Sequence, residues 1–239
     1  MAALSATAPP DSDALYAVRR SSRARHLQAV VRAGRIEVVV PRWARPGHVE
    51  AFVRGARPWM LEQAARLAAG EGAILPAACA PGARVLYEGR PRALAIEPDE
   101  TGPRVDLGEQ ITVRLPAAAA ADREPLARAT LQAWLEERAR LTATALVARH
   151  APRLGAAPTA LRIKAQKTLW GSCGRRGAIH LNWRLIGAPP EVFEYIVVHE
   201  LCHLKERNHG PRFWRLVGGL VPDYERHRSW LRANGSLLG

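Results

Sequence analysis

The chain has 239 residues, 48% of them hydrophobic, which is enough for a real core in one large domain or two small ones. The three scattered cysteines, Cys79, Cys173 and Cys202, exclude a disulfide framework, and no apolar run is long enough to span a bilayer; a cytoplasmic protein without a membrane segment is expected. The net charge is +13, from 35 basic residues of which three are lysine, and such a balance suits nucleic acid, nucleotides or acidic protein surfaces unless compositional bias has simply spread arginine over solvated faces.

In chain order, residues 1–13 lack a basic start followed by an apolar run, so they read as a disordered tail and not a signal peptide. Alternating segments follow at Leu15 to Arg19, His26 to Arg32 and Arg35 to Val40, with Gly34 marking a tight turn. Pro46 to Ala69 has a helical pattern, interrupted near Gly55 and restarted by Pro58, with Trp59 and Leu67 as core residues. A Gly/Pro/Ala-rich loop spans Gly70 to Gly82. Short strands return at Arg84 to Tyr87, Ala93 to Glu97 and Gln110 to Leu115, separated by turns at Gly89 and Gly102. The low-complexity run Pro116 to Ala121 suggests a boundary between a β-rich α+β region, 14–118, and a second domain, 119–239. That domain opens with a long amphipathic helix, Pro125 to His150, whose stripe is Leu131, Trp134, Leu135, Leu141, Ala145 and Leu146. Leu161 to Ala165 is a strand, Trp170 to Gly177 a turn, and Ala178 to Ile186 a half-buried strand.

The most informative stretch is His199-Glu200-Leu201-Cys202-His203, followed by His209. Pro190 to Lys205 reads as a helix with proline in its first turn and Glu191 and Glu194 near its positive end. Phe193, Val197, Leu201 and Leu204 form an apolar face opposite the histidines. His199 and His203 lie one turn apart on one face, so both imidazoles can reach one metal, while Glu200 is offset to hold a water beside it. Asn208 tolerates the left-handed geometry that ends helices, and a turn there can bring His209 back as a third ligand, leaving one position open for water. Cys173 and Cys202 compete as ligands. His180 and Asn182, on the alternating strand before this helix, face either the cleft or solvent; as an edge strand it could pair with an extended substrate. The last helical stretch, Pro211 to Ala233 with a break near Pro222, brings Phe213 and Trp214 to the site and offers Tyr224, Arg226 and His227 as weak candidates to stabilise an oxyanion. Arg162, Lys164, Lys167, Arg175 and Arg176 form a basic group just ahead of the helix.

These residues resemble the YgjP-like metal-dependent hydrolases, a bacterial zincin group. The resemblance runs through Trp170-Gly171-Ser172-Cys173, Leu181-Asn182-Trp183-Arg184-Leu185, Ala188-Pro189-Pro190-Glu191-Val192, the histidine helix, and Asn208-His209-Gly210-Pro211-Arg212-Phe213-Trp214. Arg19-Arg20-Ser21 and Arg57-Pro58-Trp59 extend it more loosely toward the N-terminus. The ligand spacing also resembles WLM-type and SprT-type proteases, which act on proteins attached to DNA. Metzincins share the spacing but have glycine at the position of Glu206 and need a downstream methionine, and here the methionines are Met1 and Met60. The resemblance implies zinc at His199, His203 and His209, Glu200 as catalytic base, and a minimal zincin domain: backing helix, small twisted sheet, active-site helix and C-terminal helix.

Three classes of function fit. A zinc peptidase acts on peptides or proteins, with His180, Asn182 and Tyr224 as substrate-binding candidates. A metal-dependent nucleoside triphosphate pyrophosphohydrolase would use the basic residues, although such sites often recruit two metals and no second carboxylate cluster is visible. A nucleic-acid-associated protease or a non-catalytic zinc module is the third, and an intact Glu200 argues against a purely structural zinc. Oligomeric state is not encoded in any of these signals.

Overall fold

A computed structural model describes residues 16–22, 24–32, 35–68, 74–117, 123–166 and 169–238. The expected tail at 1–13, the turn at Gly34, Lys167 and most of the low-complexity run lie outside them, as does the side chain of Leu67. The architecture is α+β: the described residues form five α-helices and three small mixed sheets, and the chain divides into two compact units at residues 71 and 72. The compositional break near residue 118 falls inside the second unit.

In the first unit β1 (Ala17–Ser21) runs parallel to β3 (Arg35–Pro41), and β2 (Gln28–Arg32) pairs with β3 on its other side, antiparallel. Val31, Ile36, Val38 and Val40 pack on Val53 and Met60 of α1 (Pro46–Ala68), with Trp59 partly buried against them. α1 is continuous where a break near Gly55 was expected. Pro58 lacks an N–H for the carbonyl of Arg54, but both residues are exposed, so water can serve that carbonyl.

The second unit holds the remaining elements around one core. β4 (Arg84–Tyr87), β5 (Arg90–Pro98), β6 (Arg104–Leu107) and β7 (Ile111–Leu115) form a sheet in the order β4-β5-β7-β6. β6 was missed because its exposed Arg104-Val105-Asp106-Leu107 carries little hydrophobic alternation. The β4–β5 hairpin turns at Glu88-Gly89, both at positive φ (49° and 76°), as a two-residue connection requires. Its tip bonds to the turn ahead of the histidine helix, Glu88 N–H to the Ile186 carbonyl (2.8 Å) and Gly89 N–H to that of Gly187 (3.0 Å). A Cβ at Gly89 would sit 2.9 Å from Pro189 Cγ, so glycine is needed for the approach as well as the turn.

α2 (Arg123–Leu154) is longer than expected, and its buried stripe is Ala127, Leu131, Leu135, Ala139 and Ala143; Leu141 is 43% exposed and does not belong to it. The third sheet has the order β8-β10-β9, with β8 (Ala160–Lys164) parallel and β9 (Gly171–Cys173) antiparallel to β10 (Ala178–Asn182). β10 is therefore central, and the edge strand on the side of the histidine helix is β9, within the stretch expected to be only a turn. β10 ends at Asn182 instead of continuing to Ile186: the Asn182 side chain accepts from the Arg184 N–H at 3.2 Å and caps a 3-10 turn, Trp183–Gly187. The chain then enters α3 (Pro190–Cys202), α4 (Pro211–Leu220) and α5 (Tyr224–Asn234), the last two separated at the expected break. Among the described residues no helix is long and apolar enough to cross a membrane.

Candidate metal centre

α3 begins with Pro190 at its first position and Glu191 in its first turn, both favourable at the positive end of the dipole. Its β-branched run (Val192, Ile196, Val197, Val198) has poor intrinsic helix propensity, so burial holds it: Val192, Phe193, Tyr195 to Val198, and Glu200 to Cys202 are all buried. The helix is thus enclosed nearly all round, where a single apolar face opposite the histidines had been expected. It ends earlier too, with His203 as its cap, and the N–H groups of Leu204, Lys205 and Glu206 fold back onto the Leu201 and Cys202 carbonyls. Asn208 takes no left-handed conformation; the reversal comes from those turns and from Gly210 N–H bonding to the Asn208 carbonyl at 2.8 Å.

That reversal brings His209 to His199 and His203. The ligand-capable atoms of the three lie within 4.8 Å of one another, and this is the one such group among the described residues. His199 Nε2 and His209 Nε2 are 3.0 Å apart. The Nδ1 of His203 must donate to the Glu206 carbonyl, 3.0 Å away, since a carbonyl only accepts; its Nε2 lone pair is then free for a metal. Burial, followed by the neighbouring His203 and His209, lowers the His199 pKa to about 3, and burial also lowers that of His203. Both are held neutral, the form that binds a cation. The donor set, three convergent imidazoles with one tautomer already fixed, fits a divalent transition metal such as zinc. Neither Cys202 nor Cys173 joins it. Cys202 is fully buried with its thiol pushed up to about 12, and burial likewise raises Cys173.

Residues of α4 wall the imidazoles. Phe213, fully buried, stacks on His203 (centroids 4.5 Å) and meets His199 edge-on (4.9 Å), while Trp214 stacks on His209 at 5.8 Å. Glu200 is only 5% exposed, and burial raises its carboxyl pKa to about 7. Its room is provided by Gly171 of β9, where a Cβ would stand 2.6 Å from Glu200 Oε1 and 2.7 Å from its Cγ. The Gly171-Ser172-Cys173 edge is fixed by Arg207, which donates to the carbonyls of Gly174 (2.9 Å) and Arg175 (3.0 Å).

The substrate-binding candidates fare differently. Asn182 is buried and donates to the carbonyls of Gln166 (2.7 Å) and Leu169 (3.2 Å), anchoring a loop with the amide hydrogens that a substrate would need. His180 pairs in register with Arg162 and Ser172, on the sheet face that also carries Lys164. Tyr224 stacks on Trp214 at 5.2 Å, with its hydroxyl donating to Glu225 at 3.4 Å. Of the other α5 candidates, Arg226 is exposed and His227 is buried 6.4 Å from the Tyr195 ring. Sequence reasoning passed over Gly171, Arg207, Tyr195 and Arg228. Tyr195, whose ring lies edge-on to His199 at 5.8 Å, is one helical turn before that residue and was legible from periodicity. The other three reach the site only through tertiary packing.

Among curated proteins no match to the chain is found. Among solved structures it is similar to the crystal structure of the metallopeptidase zymogen abylysin of Pyrococcus abyssi, at 28% identity over 36% of this chain and 86% of that one, with a TM-score of 0.33. The family model for the YgjP-like metallopeptidase domain matches residues 25–234, spanning both units and every residue of the histidine site, and the chain belongs to that family.

Proposed function

We propose that the protein is a zinc-dependent peptidase in which His199, His203 and His209 hold the metal and Glu200 is the general base. The observation that carries this reading is the convergence of three imidazoles beside a buried carboxylate whose pKa is raised to about 7. A zinc ion held there supplies Lewis acidity to a peptide carbonyl and makes an attacking water more acidic. Glu200 takes the proton from that water and delivers it to the leaving amine, a task suited to a carboxyl that titrates near neutrality. Phe213 and Trp214 exclude bulk water from one side of the imidazoles. The edge strand β9, kept small at Gly171 and held by Arg207, is where an extended substrate backbone can add as a further strand. Three free cysteines suit a reducing compartment, and we place the protein in the cytoplasm. No second metal-holding group occurs among the described residues, so two-metal phosphoryl chemistry has less support than peptide hydrolysis. Metal analysis of the purified protein, followed by assays on casein and on nucleoside triphosphates with Glu200→Gln as control, tests the reading. One zinc and Glu200-dependent casein cleavage are expected; Glu200-dependent nucleotide hydrolysis alone would overturn it.

A further inference from the structure

We propose that Arg228 anchors a substrate carboxylate beside the metal centre, so that the site takes peptides with an acidic group within a few residues of the scissile bond; this rests on the peptidase reading above. α5 packs against α3. From α5 the Arg228 guanidinium reaches over the Trp214 ring, 5.1 Å from its centroid, and that ring lies 5.9 Å from His199 and 5.8 Å from His209. The guanidinium is therefore at most roughly 11 Å from the His199 ring, the reach of about three extended residues. A carboxylate at that distance belongs to the same peptide whose carbonyl is at the metal.

The charge is free to do this. Among the described residues no carboxylate pairs with Arg228, and the acid one turn before it, Glu225, accepts instead from the Tyr224 hydroxyl. Arg207, by contrast, is engaged with backbone carbonyls and has a scaffolding part. Trp214 is stacked on Tyr224 and on His209, which fixes the ring that the guanidinium approaches. Arg228 is exposed, so a carboxylate can reach it, and an arginine fork matches a carboxylate with two parallel hydrogen bonds while the aromatic ring adds a cation–π contact. The carboxylate can come from an Asp or Glu side chain or from a chain terminus, since both present the same group.

The test uses peptides of one apolar sequence, carrying Asp or Asn two residues from the cleaved bond and ending as the free acid or the amide. KM and kcat are measured on the zinc-loaded protein, Arg228→Gln and Arg228→Lys, and calorimetry follows binding of the same peptides to zinc-loaded Glu200→Gln with and without Arg228→Gln. The carboxylate forms should be favoured about 10- to 100-fold, mainly in KM. In Arg228→Gln that ratio should collapse toward one at unchanged zinc content, and lysine should restore part of it. Asp against Asn and acid against amide then separate the two sources. A preference that survives Arg228→Gln, or an equal loss on charged and neutral peptides, would overturn the proposal and leave Arg228 as packing for Trp214. If no peptide is cleaved but binding keeps an Arg228-dependent carboxylate preference, the anchor stands and the peptidase reading fails. Absence of that preference in binding as well would remove the anchor.

Discussion

α2 and α3 pack on one another yet bury their residues in opposite ways. Up to Ala143, α2 presents one stripe, Ala127, Leu131, Leu135, Ala139 and Ala143, with short-range ion pairs such as Arg128–Glu124 and Arg140–Glu137 on its solvated side; nearer its C-terminus the buried His150 meets Glu194 of α3 at 2.7 Å. α3 is enclosed on nearly every side, and Glu200 is sealed in with its apolar neighbours. The polar residues of α2 are mostly the ordinary content of a solvated face, and the buried exception, His150, has Glu194 as its partner. On α3 a buried carboxyl works against folding, so its presence signals chemistry. The two helices teach where to look: function sits where the pattern of burial and the residue type disagree.

The largest expected effect breaks that disagreement directly. Glu200→Gln should keep zinc and lose about 100- to 10,000-fold of hydrolysis, because glutamine fills the space without accepting a proton. Metal loss in this variant would make Glu200 a ligand or an anchor instead. Gly171→Ala probes the same carboxylate from β9. Its methyl would enter at 2.6 Å from Oε1, and displacing the base by an ångström should cost about 100-fold in turnover while zinc analysis stays unchanged.

The backing helix should respond in stability, not in chemistry. Leu135 is fully buried and Leu141 is 43% exposed. Leu135→Ala should cost about 2–5 kcal/mol in urea unfolding, and Leu141→Ala less than about 0.5 kcal/mol. Equal costs would show that the stripe runs elsewhere on α2.

Glu200 also makes a pH prediction for the metal-free protein. Burial raises its carboxyl pKa from the ordinary 4.5 to about 7 in the folded state. Below the unfolded value both states are protonated and nothing is lost. Between the two values the unfolded chain releases the proton and the folded one keeps it, so stability falls as pH rises, and the full cost is present above the folded value. Glu200→Gln should therefore match the parent near pH 4 and exceed it by roughly 3 kcal/mol near pH 8. A constant difference across that range would mean that burial does not shift this carboxyl.

Local signals made the convergence of the three histidines legible: the His199–His203 spacing and the polar break before His209 need no knowledge of the tertiary fold. Element identity was also visible for α3 and for the α4–α5 pair, whose break is written as Pro222. What escaped has physical reasons. β9 contains glycine, serine and cysteine, which give no periodic signal, and it is a strand only because β10 offers it a partner. β10 stopped early because one side chain, Asn182, captured the next backbone N–H. Leu141 looked like core because it is apolar, although the spacing of four from Ala127 to Ala143 leaves it off the stripe. Arg228 was passed over in favour of Tyr224, Arg226 and His227, since nothing in the sequence says that α5 returns Arg228 to Trp214.

The contrast between inside and outside recurs within the third sheet, where the expected effect is smallest. Register puts Arg162 and Lys164 of β8 on the same face as His180 and Ser172, while Ile179 and Leu181 are buried on the other. Arg162 and Lys164 are exposed, and Arg175 and Arg176 are exposed in the turn between β9 and β10. Burial lowers the His180 pKa first, and the charges of Lys164 and Arg162 lower it further. Replacing both with glutamate should raise the His180 pKa, read from the C2 proton of its imidazole by NMR, because two repelling cations become two attracting anions. The same variant should bind a DNA oligonucleotide more weakly and with a salt slope smaller by up to about two, at 0.9 per lost phosphate contact. The two readouts separate geometry from function. A shifted His180 with unchanged DNA binding would confirm that the cations share a face and show that the face is merely solvated. An unshifted His180 would mean that neither cation lies near it, and the basic group ahead of α3 would then be a feature of composition alone.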